Sequence, residues 1–155
     1  MLAKSICNLL TKWHADNLVN ENCMEKILTF IIKDKKLLLL LGSDQDPQYH
    51  KSFWYVVTGG CEKEDSSLED TVKREVLEET GLTLTKIVDL DWTFEYESLG
   101  KHCVEHAFIS FVDNYEIKLN EESIDYKWCD LDEFIKLIEW YGDKQELKER
   151  LIKFI

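Results

Sequence analysis

The first clear pattern in the chain is a pair of apolar runs separated by a short charged segment. Met24–Ile32 and Leu37–Leu41 are mostly apolar, and Lys33–Lys36 lies between them. Two such runs joined by a short polar link are typical of a β-hairpin. Phe53–Val57 predicts a further strand of aromatic and β-branched residues, which ends at Thr58-Gly59-Gly60.

The next pattern predicts a helix that begins after an acidic loop. Ser66 has the residue type of an N-cap, and Glu69 three positions later completes a capping box. The helix is expected to run to about Thr80, with Gly81 as the residue that ends it.

The second half of the chain predicts more strands and then two helices. Strict alternation over Leu90–Glu97 indicates a strand with one buried face. Leu99-Gly100 predicts a turn, and two apolar stretches follow it as strands. Asp130 with Glu133, and later Asp143 with Glu146, predict the starts of two helices. The predicted bounds are strands at His102–Val112 and Ile124–Cys129, a helix through Trp140, an interruption at Gly142 and a final helix to the C-terminus. This order favours an α/β (α+β) fold in which helices pack on the faces of a mixed sheet.

Length and composition predict one globular domain at residues 23–155, preceded by a helical extension at residues 1–22. The chain has 155 residues and a net charge of −12, which disfavours nucleic acid polymers and anionic membranes as partners. Its five cysteines are irregularly spaced, so reduced thiols in a cytoplasm are the simpler interpretation. The N-terminal extension could pad the core or contact a second subunit in a homodimer.

Three carboxylates in the predicted helix are the strongest chemical signal. Glu75, Glu78 and Glu79 are spaced so that they lie close together on the helix, where like charges repel. On a helical wheel, Glu75 and Glu79 fall beside the apolar stripe of Leu68, Val72 and Val76, and Glu78 sits at its margin. A solvated acidic face is the alternative for such a charge run. A hard divalent cation such as Mg²⁺ would instead explain why acidic groups point inward.

The segment from Gly60 to Leu82 resembles the Nudix box, G-x5-E-x7-R-E-U-x-E-E-x-G-U, in which U is aliphatic. One position departs, because Ser66 stands where the family has its first glutamate. In the family that glutamate mostly supports the loop, and Ser66 could cap the helix instead. The matching positions are Gly60, Arg74, Glu75, Val76, Glu78, Glu79, Gly81 and Leu82. The resemblance implies a Nudix-type α/β/α sandwich over residues 23–155.

The resemblance also implies a reaction. Members of the family hydrolyse nucleoside diphosphates linked to another group, using Mg²⁺, with Mn²⁺ as an alternative, to activate water. Carried over to this sequence, Glu75, Glu78 and Glu79 would bind the metal. Arg74 would hold one glutamate through a paired contact, and Gly59 and Gly60 would allow close approach of backbone to helix and substrate.

A carboxylate outside the box is commonly recruited in this family as an extra metal ligand or general base. Glu122, just before the Ile124–Cys129 strand, is the preferred candidate, and Glu105 is its competitor. The segments Phe53–Gly59 and Asp125–Trp128 are similar to bacterial dihydroneopterin triphosphate pyrophosphatases, which implies a dihydroneopterin triphosphate or (d)NTP substrate. Trp54 and His50 are the candidate contacts to its ring or phosphates.

The sequence is also compatible with other functions on the same fold. A non-catalytic Nudix module that binds a ligand for regulation is favoured by the Ser66 departure. Tyr96 could correspond to a tyrosine of the diadenosine polyphosphate hydrolases, although its alternating strand also explains it as a core residue. An isopentenyl-type isomerase ranks last, since the expected cysteine context is missing.

Overall fold

The computed structural model describes residues 23–43 and 52–155, and its first element is the hairpin expected from the two apolar runs. Strand β1 spans Cys23–Lys33 and strand β2 spans Lys36–Gly42. The two residues between them, Asp34 and Lys35, have φ angles of 48° and 66°. Two consecutive positive φ angles are those of a tight turn whose twist matches that of the strands. The predicted hairpin is therefore confirmed.

The segment expected as one strand at Phe53–Val57 is instead two short strands, β3 at Trp54–Tyr55 and β4 at Val57–Gly60. Strand β3 pairs with β2, whereas β4 pairs antiparallel with β1. The split follows from the hairpin, because β1 and β2 are in register only beside their turn. One continuous segment can then bond to β2 first and to β1 afterwards.

Three longer strands complete the sheet. Strand β5 spans Leu84–Ser98, β6 spans Lys101–Val112 and β7 spans Ser123–Cys129. Strand β6 runs parallel to β1, while β5 is antiparallel to β6 and β7 is antiparallel to β2. The sheet of the described residues is therefore mixed, as expected. Strand β5 begins earlier than the alternation indicated, and a register shift between Asp89 and Thr93 separates its two parts.

Helix α1 spans Leu68–Thr80, and its start corrects one prediction. The N-cap is Ser67, whose hydroxyl accepts a hydrogen bond from the Asp70 N–H at 3.1 Å, so Ser66 lies one residue outside the helix. Ser66 donates its own N–H to the Asp70 carboxylate at 3.1 Å. Gly81 ends the helix in the left-handed conformation, with φ 74° and its N–H on the Leu77 carbonyl. That conformation favours glycine, as the prediction required.

Helix α2 spans Leu131–Leu137 and helix α3 spans Lys144–Leu151, with a 3₁₀ turn at Ile152–Phe154. The expected N-caps Asp130 and Asp143 are both present. Helix α2 ends before Trp140, contrary to the prediction. The Glu139 N–H donates to the Trp54 carbonyl at 2.9 Å, which draws the chain out of the helix and onto strand β3.

The sheet separates two apolar cores, which confirms the α/β/α sandwich. On one face, Val72 and Val76 of α1 pack against Ile27, Ile31 and Phe108. The opposite face carries α2 and α3; its buried residues include Leu28, Phe30, Leu39, Ala107, Ile109, Phe134, Leu147 and Leu151. Residues that alternate along β1 and β6 therefore serve opposite faces of the sheet. Among the described residues, none of the helices has the length and apolar content needed to span a membrane.

Candidate functional site

Helix α1 turns two of its carboxylates toward the sheet. Glu75 is 3% exposed and Glu79 is 6% exposed, whereas the side chain of Glu78 is 51% exposed. This difference follows the helical period, since Glu75 and Glu79 flank the apolar residues that pack on the sheet and Glu78 lies further round. Helix α1 therefore buries two acidic groups on the same face, and buried charge is costly unless it is compensated.

Gly59 is the residue that makes room for this arrangement. A Cβ atom at Gly59 would overlap the carboxyl group of Glu75. The backbone of β4 therefore lies directly against the helix carboxylate. Gly60 contributes its carbonyl oxygen, which accepts a hydrogen bond from Arg74 Nη2 at 2.9 Å. Both predicted glycines are thus in contact with the residues of α1 expected to be functional.

Arg74 joins the loop to the helix carboxylates. Its Nη1 donates to Glu75 Oε1 at 3.0 Å and lies 3.5 Å from the Glu78 carboxylate. It also lies 3.5 Å from Glu62. The hydrogen bonds from Arg74 to Asp65, followed by the negative charge of Glu75, raise the pKa of Arg74 above its ordinary value. Arg74 therefore stays charged and fixes the orientation of Glu75.

The residue that sequence reasoning missed is Asp65. It is 5% exposed and takes two hydrogen bonds from Arg74, from Nε to Oδ1 at 3.1 Å and from Nη2 to Oδ2 at 2.9 Å. The Thr71 hydroxyl and the Glu62 N–H also donate to Oδ2, at 2.8 Å and 2.9 Å. Burial would raise the pKa of Asp65, but these hydrogen bonds bring it down to about 2.

Asp65 binds Arg74 and so supports the loop, although Ser66 stands where the Nudix box has a glutamate. The paired contact expected between Arg74 and a glutamate of the helix is made with Asp65 instead. The sequence did contain a signal for this role. An acidic residue stands one place before Ser66, and its shorter side chain can reach the same arginine. Ser66 neither caps the helix nor substitutes for the missing carboxylate.

The remaining predicted residues lie in different surroundings. Glu122 lies just before β7, where its carboxylate accepts from Asn120 Nδ2 at 3.2 Å and its carbonyl accepts from the Ser43 N–H at 3.0 Å. Trp54 is partly buried against the core on the α2–α3 face. Glu105 is fully buried on that same face, beside Lys26. His50 and the extension at residues 1–22 lie outside the described residues.

The donor chemistry of α1 fits a hard divalent cation. Glu75, Glu78 and Glu79 supply carboxylate oxygens within little more than one helical turn, and Mg²⁺ takes oxygen ligands. As the side chains stand in the described part of the chain, no three acidic, histidine or cysteine groups already converge as metal ligands. Arg74 Nη1 lies beside both Glu75 and Glu78. Binding of a cation would thus require a change in how these two carboxylates share Arg74.

The comparison with known proteins decides the family. The model of the NUDIX domain matches residues 26–151. The chain belongs to the Nudix family. A relative, the NAD-capped RNA hydrolase NudC of Mannheimia succiniciproducens, is 32% identical over 111 residues, covering 69% of this chain and 39% of that protein. The match therefore spans well under half the length of that relative.

Solved Nudix structures share the fold. The MutT protein from Methanosarcina mazei Go1 superposes with a TM-score of 0.69 at 24% identity, covering 86% of this chain and 96% of the other. The E. coli dihydroneopterin triphosphate pyrophosphohydrolase gives a TM-score of 0.63 at 24% identity, covering 83% and 95%. At these identities the likeness establishes the architecture, and the residues of α1 carry the functional argument.

Proposed function

We propose that this Nudix chain is a metal-dependent pyrophosphohydrolase that cleaves a phosphoanhydride of a small nucleoside-triphosphate-like molecule, such as dihydroneopterin triphosphate or a (d)NTP. The observation that carries the proposal is the burial of Glu75 and Glu79 against β4, with Gly59 leaving space for the Glu75 carboxyl. These carboxylates face inward, and Glu75 fits only because Gly59 has no Cβ. They therefore do not form the solvated acidic face that was the alternative interpretation.

Mg²⁺, or Mn²⁺ in its place, is the cofactor that these residues would hold. Glu75, Glu78 and Glu79 would be its ligands on α1, with Glu122 as the ligand from outside the helix. When bound, the ion neutralises charge on the phosphoanhydride oxygens and makes water a better nucleophile. Arg74 contacts Glu75 and Glu78 before the ion binds, and the ion would compete with Arg74 for these two carboxylates.

The protein residues divide the remaining work. Asp65 fixes Arg74, and Arg74 in turn orients Glu75 through its Nη1. Gly59 and Gly60 let the backbone of β4 lie close to the helix and to a phosphate group. Glu122 is proposed as the extra metal ligand or as the general base, and the Asn120 side chain donates a hydrogen bond to its carboxylate.

The proposed partner is a small anionic molecule, and the charge of the chain supports this choice. A net charge of −12 repels the many phosphates of a nucleic acid polymer, whereas a bound cation can compensate a few phosphates locally. A cytoplasmic location and a homodimer that uses residues 1–22 remain predictions from the sequence.

A panel of phosphoanhydrides tests the proposal. The chain would be incubated with dGTP, ATP, dihydroneopterin triphosphate, diadenosine tetraphosphate and NAD, in Mg²⁺ and in EDTA, and the products identified by mass spectrometry. NAD is included because the NudC relative is described as a hydrolase of NAD-capped RNA. Cleavage in Mg²⁺ that stops in EDTA is expected. Tight binding without cleavage of any compound would instead indicate a ligand-binding module.

A further inference from the structure

A cavity of about 280 Å³ lies on the face of the sheet opposite α1. Its lining includes Leu28, Tyr55, Phe94, Tyr96, Glu105 and Trp140, from β1, β3, β5, β6 and the segment after α2. The cavity is at the small end of the range for ligand sites, so it suits one ring system better than a whole dinucleotide.

Aromatic side chains form the walls of this cavity. The rings of Tyr55 and Trp140 are stacked, with centroids 6.3 Å apart and planes at 24°. Phe94 meets the Trp140 ring edge-on at 5.5 Å. Flat apolar walls of this kind favour a planar ring, because stacking adds to the gain from burying its surface.

Glu105 is, with Glu95, one of two acidic residues in the lining of this mostly apolar cavity. It is fully buried, and its Oε2 accepts from the Tyr96 hydroxyl at 3.3 Å and lies 3.9 Å from Lys26 Nζ. Within residues 23–43 and 52–155, its Oε1 has no hydrogen-bond donor. Burial raises the pKa of Glu105 to about 6, opposed by the charge of Lys26 and the Tyr96 hydrogen bond. The Lys26 ammonium beside it favours the ionised carboxylate, which can only accept hydrogen bonds.

A buried acceptor without a donor is costly, and a ligand that brings donors removes the cost. A carboxylate presents two parallel acceptors, which matches two adjacent N–H groups on the edge of a planar ring. Guanine and pterin share such an edge, formed by a ring N–H beside an exocyclic amino group. Adenine and hypoxanthine do not offer it, since each lacks one of the two donors.

We propose that Glu105 is a specificity-determining residue that binds the adjacent N–H groups of a 2-amino-4-oxopyrimidine ring, as in guanine or pterin, held against the aromatic walls of this cavity. The inference rests on the proposed function, because it names the ring carried by the phosphoanhydride substrate.

The register of the sheet gives the lateral distance from this cavity to Gly60 on β4. Glu105 is paired with Lys26 on β1, and Lys26 is paired with Gly60 on β4. Two strand spacings separate Glu105 from Gly60, or about 10 Å between their backbones. Gly60 is the residue whose carbonyl binds Arg74. A ring at Glu105 is thus two strands away from the backbone that contacts the proposed phosphate site.

Binding of monophosphates in EDTA tests this inference separately from catalysis. Titration calorimetry would compare GMP, IMP and AMP, with neopterin monophosphate as the pterin arm. GMP or the pterin is expected to bind roughly tenfold to a hundredfold more tightly than IMP and AMP. This is the affinity typically lost when one hydrogen bond to a charged group is missing. Which of the two binds tighter distinguishes guanine from pterin as the natural ring.

Two variants assign the preference to Glu105. Glu105→Gln replaces one carboxylate oxygen by an NH2 donor and removes the charge. It should reduce the preference for GMP or the pterin over IMP and AMP to less than threefold. Glu97→Gln removes the same charge from an exposed site on β5 and should preserve it. Equal binding of GMP, pterin, IMP and AMP by the unaltered protein would overturn the inference, whether or not Glu105→Gln folds. Selective binding without turnover of any phosphoanhydride would overturn the proposed function and leave the inference standing.

Discussion

Asp65 holds Arg74 through two parallel hydrogen bonds, at 3.1 Å and 2.9 Å, from a position that the Nudix pattern does not assign to a carboxylate. The pair links the loop after β4 to the middle of α1. Arg74 in turn donates a hydrogen bond to Glu75 and so restrains its carboxylate. Asp65, one residue before the departing position, therefore ties the loop to Arg74 and through it to Glu75.

Asp65→Asn is expected to lower both stability and turnover. An amide cannot accept from Arg74 and Thr71 as the carboxylate does, and hydrogen bonds to charged groups contribute about 1.5–3 kcal/mol each. We expect a loss of about 2–3 kcal/mol in the free energy of unfolding, measured in urea, and a fall of roughly tenfold in kcat. Glu64→Gln, at the exposed neighbouring position, is the control and should change neither quantity appreciably.

The pH dependence of stability gives an independent check on Asp65. Its pKa in the folded protein is about 2, below the ordinary value of 3.8, so its contribution is complete above pH 4 and is lost as the pH falls toward 2. The unaltered protein should therefore lose more stability than Asp65→Asn between pH 4 and pH 2. Parallel stability curves in that window would show that the Arg74 contact contributes little.

The helix and the hairpin could be predicted because their signals are local. Apolar residues at helical spacing placed Glu75 and Glu79 against the sheet, and two apolar runs gave β1 and β2. Asp65 could not be placed in this way, since its role depends on the path of the loop from Gly60 to α1. The split of β3 from β4 depends on how β1 and β2 diverge, which neither segment encodes alone.

The cavity on the opposite face was beyond sequence reasoning for a similar reason. Glu105 and Tyr96 come from neighbouring strands, whereas Trp140 reaches them only because α2 ends early and Glu139 bonds to Trp54. Glu105 was proposed from the sequence as a competitor for the metal site, yet its side chain lies on the face away from α1.

Gly59→Ala tests whether the position of Glu75 depends on the missing Cβ. The added methyl would overlap the Glu75 carboxyl, so the side chain must move away from β4. We expect at least a tenfold fall in kcat with a small change in the unfolding midpoint. Gly42→Ala is the matched control, because its Cβ would only make ordinary contact, 3.7 Å from the Phe53 carbonyl. Equal activity of both variants would mean that Glu75 is not held against β4 for function.

The N-cap of α1 can be assigned by a pair of serine substitutions. Ser67→Ala removes the hydrogen bond to the Asp70 N–H and should cost about 1 kcal/mol in the free energy of unfolding. Ser66→Ala keeps the backbone bond from Ser66 to Asp70 and should cost less than about half as much. A larger loss in the free energy of unfolding for Ser66→Ala than for Ser67→Ala would indicate that Ser66 is the N-cap, as expected from the sequence.

Turnover by Glu79→Gln, with Glu69→Gln as control, is the most direct test of metal-dependent hydrolysis at α1. Glu79 is buried against the sheet, whereas Glu69 is exposed in the first turn of the same helix. Rates would be measured in Mg²⁺ on the best substrate of the panel, with circular dichroism to confirm folding. A fall of at least about a hundredfold for Glu79→Gln, with Glu69→Gln unchanged, is predicted. Folded Glu79→Gln that retains full activity would contradict hydrolysis by these carboxylates.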